Sequence, residues 1–257
     1  MGWLSRLADW REQRQLARHA IDDRLWQAVL QAYPFIAERS AADVAALRRL
    51  SSLFLARKQF HGAHGLVIDD LMAVCIAAQA CLPLLGLSLD HYDGFVGIVV
   101  QPDEVVAPRS VIDEDGVVHE YDEALTGEAM EGGPVMLSWH DVAQAGEQAD
   151  MAYNVVIHEF AHVLDMRDGV ADGVPLLATA AHRQAWIEVL DAEFEDFVQR
   201  VDAGEDTLID PYGAEAPEEF FAVASEAFFV AAAALRDEHP RLYRLLASYY
   251  RQDPAAG

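Results

Sequence analysis

The run His158-Glu159-Phe160-Ala161-His162 constrains this chain more than any other stretch. Two histidines four apart, with a glutamate directly after the first, form the H-E-x-x-H pattern of zinc hydrolases. On a helix both histidines lie on one face, a turn apart. Their imidazole nitrogens can then reach a single ion at about 2.0–2.1 Å. Glu159 sits about 100° further round the helix, where it can face a water on the ion without occupying the ion itself. Chance placement gives the pattern in roughly three of a hundred chains of this composition, so the neighbouring residues matter. Val155, Val156, Ile157, Phe160, Ala161 and Leu164 are apolar, which buries the helix. Buried imidazoles and a buried carboxylate need partners. A divalent cation supplies them; hydrogen-bonded core histidines are the plain alternative.

A catalytic zinc takes three protein ligands and leaves a fourth position to water. Three acids compete for the third place. Asp168, ten residues after His158, stands where a metzincin-like pattern would put a ligand, but Asp165 replaces the glycine of that pattern. Glu219 and Glu226 lie in segment 217–229, which is apolar nearly throughout. Seven apart, they share a helix face within about 20°, whereas Glu218 points elsewhere. Two carboxylates on one face of a buried helix are unlike plain core. One can bind the metal while the other accepts a hydrogen bond from a ligand imidazole, and spacing does not assign which. His61 and His64 fall in a Gly-interrupted polar stretch with no nearby acid, and are read as loop residues.

The 257 residues are 53% hydrophobic, enough for a sizeable core and too apolar for disorder. The formal net charge of −25 argues against a nucleic-acid or anionic-membrane surface, since both need clustered Lys and Arg. Cys75 and Cys81 are six apart within one predicted helix and point away from each other. A reduced, cytoplasmic protein is expected. Met1-Gly2-Trp3-Leu4-Ser5 is too short an apolar run for a signal peptide. The longest apolar run, 71–89, carries Gln79 and Pro83 and is read as a buried helix rather than a membrane span. No Gly-x-Ser-x-Gly elbow is present for a serine hydrolase.

Along the chain, residues 1–60 read as an N-terminal helical region packed on a catalytic domain of residues 61–257. Trp3, Leu7, Trp10 and Leu16, then Trp26, Val29, Leu30 and Tyr33, recur at helical spacing. Ser40 is placed to cap the next helix. Residues 58–65 read as a polar turn, 94–100 as a strand, and 105–118 as a strand with a hairpin at Glu114-Asp115-Gly116. Turns are expected at 125–128 and 132–134. Residues 135–139 form either an edge strand that pairs with an extended substrate or an ordinary core strand. Helices are expected over 152–166, 181–201, 218–235 and 239–251, with a turn at Asp210-Pro211-Tyr212-Gly213.

Taken together, segments 154–165 (NVVIHEFAHVLD), 133–139 (GPVMLSW), Asp210-Pro211-Tyr212 and 217–229 (PEEFFAVASEAFF) resemble the Mlc titration factor A family of bacterial zinc peptidases. The resemblance runs from about residue 50 to 250 and includes the buried segment IAAQACLPLLGL. Members of that family are similar in their catalytic site to the anthrax lethal factor protease, in which a tyrosine stands seven residues before the glutamate ligand. Tyr212 and Glu219 have that separation. The resemblance therefore implies one zinc per chain on His158, His162 and Glu219, with Glu226 behind a ligand histidine and Tyr212 near the developing oxyanion. Asp165 either orients a ligand histidine or caps the helix end. The expected fold class is α+β: a mainly helical, zincin-like metallopeptidase with a small mixed sheet and an active-site helix.

Two functions of different kind follow. In the first, the chain is an aminopeptidase or other peptide hydrolase: a water activated by the metal attacks the peptide carbonyl with Glu159 as general base. In the second, also implied by the resemblance, it sequesters a transcriptional repressor of sugar uptake without cutting it.

Overall fold

The computed structural model describes residues 14–16, 18–103, 105–112, 118–125, 127–129 and 132–256. The expected helical spacing at Trp3, Leu7 and Trp10 and the turn at Glu114-Asp115-Gly116 lie outside them. Helices α1 (Asp23–Ala32), α2 (Pro34–Ala37) and α3 (Ala41–Arg57) come first. The side chains of Asp22 and Ser40 accept from the backbone N–H of Arg24 and Asp43 and so cap α1 and α3; such caps contribute about 1 kcal/mol each. Both helices pack on α4 (Asp70–Cys81), which is buried almost all round and passes into a 3-10 turn at Pro83. Cys75 and Cys81 are free and buried within it. Among the described residues no helix is long and apolar enough to cross a membrane.

Among the described residues six strands are distributed along the middle of the chain: β1 (Gln59–Gly62), β2 (Gly97–Gln101), β3 (Val105–Ile112), β4 (Val118–Leu125), β5 (Gly127–Ala129) and β6 (Val135–Ser138). β3 and β4 pair with each other, antiparallel, from Val105 opposite Leu125 to Ile112 opposite Val118. The other four make a mixed sheet in the order β1-β2-β6-β5, in which only β5 runs antiparallel. The structure departs from two of the sequence expectations here and, for residues 135–139, selects the core strand of the two readings. The polar turn at 58–65 contains β1, an edge strand whose mostly exposed side chains leave no alternation to read. The turn at 125–128 instead spans the end of β4 and the start of β5, a strand too short to show a period. Residues 135–138 are an interior strand; the edge on that side is β5. The division expected at residue 60 falls inside β1.

The rest of the chain is helical: α5 (Trp139–Gln144), α6 (Val155–Asp165), α7 (Ala180–Asp202), α8 (Pro217–Val230), α9 (Ala232–Glu238) and α10 (Pro240–Tyr250). The single helix expected over 218–235 breaks at Ala231, whose φ of −127° and ψ of 42° leave the helical region. α6 is the centre of the molecule, touching α4, α8, β5 and β6. Its Phe160 ring is fully buried among Tyr92, Phe54 and Phe95, at centroid distances of 4.8, 5.7 and 5.8 Å. Burying a ring of that size contributes roughly 2–3 kcal/mol. It also fixes the rotation of α6, which turns the histidines toward α8 and Glu159 toward β5.

Candidate metal centre

Asn154 starts α6. Its side chain accepts from the backbone N–H of Ile157, and the chain before it turns through Ala152 in the left-handed region, at φ 56°. At the far end Gly169, at φ 91°, closes the 3-10 turn that follows the helix. Between these ends His158 and His162 stand one turn apart, each about 13% exposed at the side chain. Across from them lies α8, begun by Pro217 at its first position and buried from Phe220 to Phe229.

The two helices bring three lone-pair atoms together. His158 Nε2 is 3.1 Å from Glu219 Oε2, His162 Nε2 is 3.3 Å from the same oxygen, and the two Nε2 atoms are 3.2 Å apart. Among the described residues this is the one group of His, Cys, Asp and Glu spaced to hold an ion. On the other side of the His158 ring, Nδ1 is 2.8 Å from Glu226 Oε1. With the Nδ1 proton given to Glu226, neutral His158 presents a bare lone pair at Nε2. Three such acceptors facing one another repel unless a proton or a metal ion sits among them. Ligand atoms of a tetrahedral zinc at about 2.05 Å lie about 3.3 Å apart, and the observed separations match that edge. The nitrogen, nitrogen and carboxylate set therefore fits a divalent metal, and its two imidazoles suit zinc.

Spacing alone left Glu219 and Glu226 interchangeable; the crossing of α8 over α6 separates them. Glu219 meets both Nε2 atoms, and Glu226 reaches around to Nδ1. Glu226 also accepts from the backbone N–H of Asn154, whose side-chain amide donates to Gln79 Oε1 at 2.7 Å. Gln79 in turn donates to the Cys75 carbonyl. A buried polar chain thus runs from α4 to the ligand histidine. Sequence reading missed Asn154 and Gln79 as parts of the site. The signals present were an Asn at a helix start and a lone Gln in an otherwise apolar helix.

Glu159 stands apart from this network. It is 4% exposed, and its Oε2 has no hydrogen-bond partner among the described residues. β5 covers it: a Cβ added to Gly127 would come within 2.4 Å of Glu159 Oε1 and 2.6 Å of its Cγ and Cδ. Gly127 was also missed, and no local pattern marks it, since the approach joins residues far apart in the chain.

Burial penalises the Glu159 carboxylate most, nearby Glu219 and Glu226 add to that, and the two histidines oppose it; the group is pushed up to about 7. Burial pushes Glu219 the same way, but its hydrogen bonds with His158 and His162 win and bring it down to about 2. Glu226, fully buried, is raised by burial despite His158. His158 is itself raised well above its ordinary value, because Glu219 and Glu226 outweigh its burial.

Tyr212 lies beside the centre, its ring 6.1 Å from that of His158 and the residue 39% exposed. It sits on a 3-10 turn, Pro211–Ala214, whose first N–H groups are held by Asp210. Gly213 lets this turn press on α8, since a Cβ there would come within 2.5 Å of Val223. Asp165 is fully buried, and its Oδ2 accepts from the backbone N–H of Gly173 at 2.9 Å. Gly173 in turn rests against the Pro217 carbonyl at the head of α8. Burial raises Asp165 to about 6. Asp168 is exposed and turns back to the Val170 N–H, outside the centre.

Comparison with known proteins agrees with this geometry. The sequence profile of the glucose-regulated metallo-peptidase M90 family matches residues 7–251, which extends the likeness through the N-terminal helices. An uncharacterized protein of Synechocystis sp. is 38% identical over 249 residues, covering 96% of this chain and 90% of the relative. Mlc titration factor A of Cronobacter sakazakii is 36% identical over 232 residues, covering 89% and 86%. Mlc titration factor A of Pectobacterium atrosepticum is 34% identical over 234 residues, covering 90% and 87%. By profile and by relatives, the chain belongs to the M90 family of metallopeptidases.

Proposed function

We propose that this chain is a zinc-dependent, zincin-like peptide hydrolase of the aminopeptidase or related class, with His158, His162 and Glu219 as ligands. The observation that carries the reading is the convergence of three lone pairs at 3.1–3.3 Å beside a buried carboxylate that hydrogen-bonds none of them. Zinc held there would lower the pKa of a water and polarise the scissile carbonyl. Glu159 takes the proton of the attacking water and delivers it to the leaving amine as the C–N bond breaks. Its raised proton affinity suits both halves of that transfer. Tyr212 donates its hydroxyl proton toward the oxyanion, a role its half-open position permits. Glu226 holds the Nδ1 proton of His158 and so keeps Nε2 available. Asp165 pins the 169–179 loop against α8 through Gly173. The outer edge of β5, which among the described residues pairs with β6 alone and runs over Glu159, accepts an extended peptide. Two buried free cysteines suit the cytoplasm as its compartment.

Peptide hydrolysis by the pure protein and by Glu159→Gln tests this. The variant is expected to keep zinc and lose hydrolysis; undiminished turnover would remove Glu159 from the mechanism. Zinc content of Glu219→Ala beside Glu226→Ala tests the ligand set. Loss from the second but not the first would reverse the assignment.

A second reading rests on the names of the relatives, which describe titration of Mlc. Under it this chain binds a transcriptional repressor of that kind. Glu159→Gln separates the two: repressor binding that survives the loss of hydrolysis makes them independent functions.

A further inference from the structure

A cavity of about 420 Å³ shares a wall with α6 on the side away from the histidines. Val163 and Met166 form part of that wall, Phe95 another part, and Gly94, Gly132 and Gly133 a third, with His91 and charged side chains completing the lining. Its place relative to the chemistry follows from two elements. On α6, Val163 is four residues after Glu159, so both lie on one helix face, about one 5.4 Å turn apart. On the sheet side, Gly127 of β5 lies against the Glu159 side chain, and Gly132 and Gly133 lie in the turn that leaves β5. Helix and strand therefore advance together from Glu159 toward the cavity. A peptide on the outer edge of β5 repeats its same-side residues about every 6.6–6.8 Å. With its carbonyl beside Glu159, it brings a nearby side chain to the mouth of the cavity.

The lining sets the chemical class. Phe95 is 7% exposed, packs on Phe160 and carries the Lys58 ammonium over its ring at 3.5 Å, so it closes the floor as a fixed aromatic group. Val163 and Met166 are half-buried and apolar. The three glycines leave bare peptide planes as walls, which suits a flat group. The charged residues at the rim are largely committed: Asp90 and Asp93 lie 3.1 and 3.4 Å from the Arg57 guanidinium. Arg167, exposed at the rim, can lie over a ring that enters.

We propose that this cavity is the specificity pocket of the chain and takes an aromatic side chain of the peptide substrate. The inference rests on the peptidase reading above for what the pocket serves, and on the cavity alone for what it holds. A set of fluorescent peptides carrying Phe, Ala, Lys or Asp at each of four positions around the scissile bond tests it. At one position, zinc-loaded wild type is expected to prefer Phe over Ala by tenfold or more in kcat/KM, within the range that apolar pockets achieve. Val163→Trp, and separately Met166→Trp, fill the cavity and should reduce that preference to about twofold. Two variants guard against one that fails to fold, which circular dichroism and zinc content report. The same peptides titrated onto zinc-loaded Glu159→Gln, with and without Val163→Trp, read binding without turnover. Hydrolysis with no aromatic preference, or with one that both fillings leave intact, overturns the pocket and spares the peptidase reading. Absence of all hydrolysis, with an aromatic binding preference that Val163→Trp abolishes, overturns the peptidase reading and upholds the pocket. Equal binding of Phe and Ala peptides overturns the pocket as well.

Discussion

The two sides of α6 solve opposite problems with the same residue types. Toward α8, the side chains behind His158 are oriented one by another: Glu226 fixes His158, Asn154 fixes Glu226, and Gln79 fixes Asn154. Toward β5, Glu159 is equally buried and has an oxygen with no partner among the described residues. One face is built to hold its side chains still. The other confines a carboxylate by shape alone, with Gly127 as the wall, and leaves its lone pairs for a reacting group. A buried carboxylate oxygen without a partner costs stability; Asp141 and Asp165 carry the same cost at one oxygen each, and Glu159 differs from them in standing beside the histidine pair.

That comparison is broken if substitutions on the two faces have the same effect. The largest effect is expected on the ligand face. His158→Ala or Glu219→Ala should abolish tight zinc binding in a chelator competition, well beyond the roughly 10–100-fold loss typical of an outer partner. Next comes Glu159→Gln, where kcat should fall by about 10²–10⁴ with zinc affinity near wild type; a parallel loss of zinc would erase the distinction between the faces. Gly127→Ala should lower kcat by up to about 10²-fold with zinc retained, because the added Cβ must displace the carboxylate. In a Glu159→Asp background, where the side chain is shorter, the same change should cost far less. Equal costs in both backgrounds would make Gly127 a general packing residue. Glu226→Gln should weaken zinc by about 10–100-fold and leave the intrinsic turnover of the loaded enzyme less affected.

The smallest effect is on stability and concerns the β5 face alone. The Glu159 carboxyl is raised from its ordinary 4.5 to about 7, so the fold favours its protonated form. That favour is fully present below pH 4.5 and is lost as pH rises through 7, where the charge is buried. In the presence of chelator, Glu159→Gln should therefore raise Tm above pH 7 by a few degrees and lose its advantage below pH 4.5. A constant offset at all pH values would deny the group its buried charge. The same titration places the acid limb of activity at or below about pH 7, since protonated Glu159 cannot act as base and a bound cation draws its pKa down.

Much of the ligand face was legible in the chain because it is periodic. The i, i+4 histidines and the i, i+7 glutamates each declare a shared helical face, and apolar neighbours declare burial. Ser40 and Pro217 marked helix starts for local reasons of the same kind. The β5 face was not legible. β5 itself has three residues, β1 is an exposed edge, and both exist through pairing with strands far along the sequence. The contact of Gly127 with Glu159 and the hydrogen bond of Gln79 to Asn154 depend likewise on packing that no local window contains. The assignment of Glu219 over Glu226 fell between the two. Their common face was readable, but which imidazole nitrogen each meets depends on how α8 crosses α6.

The three residues that could hold an ion come from two helices separated by the whole of α7. An ion shared by His162 and Glu219 would close a chain segment of some fifty-seven residues, and a clip across a loop of that length restricts the unfolded chain most. The same ion would then act as a clasp for the tertiary structure. Its withdrawal would loosen α8 against α6 before it touched either helix on its own, and the apparent melting temperature would track the free metal concentration.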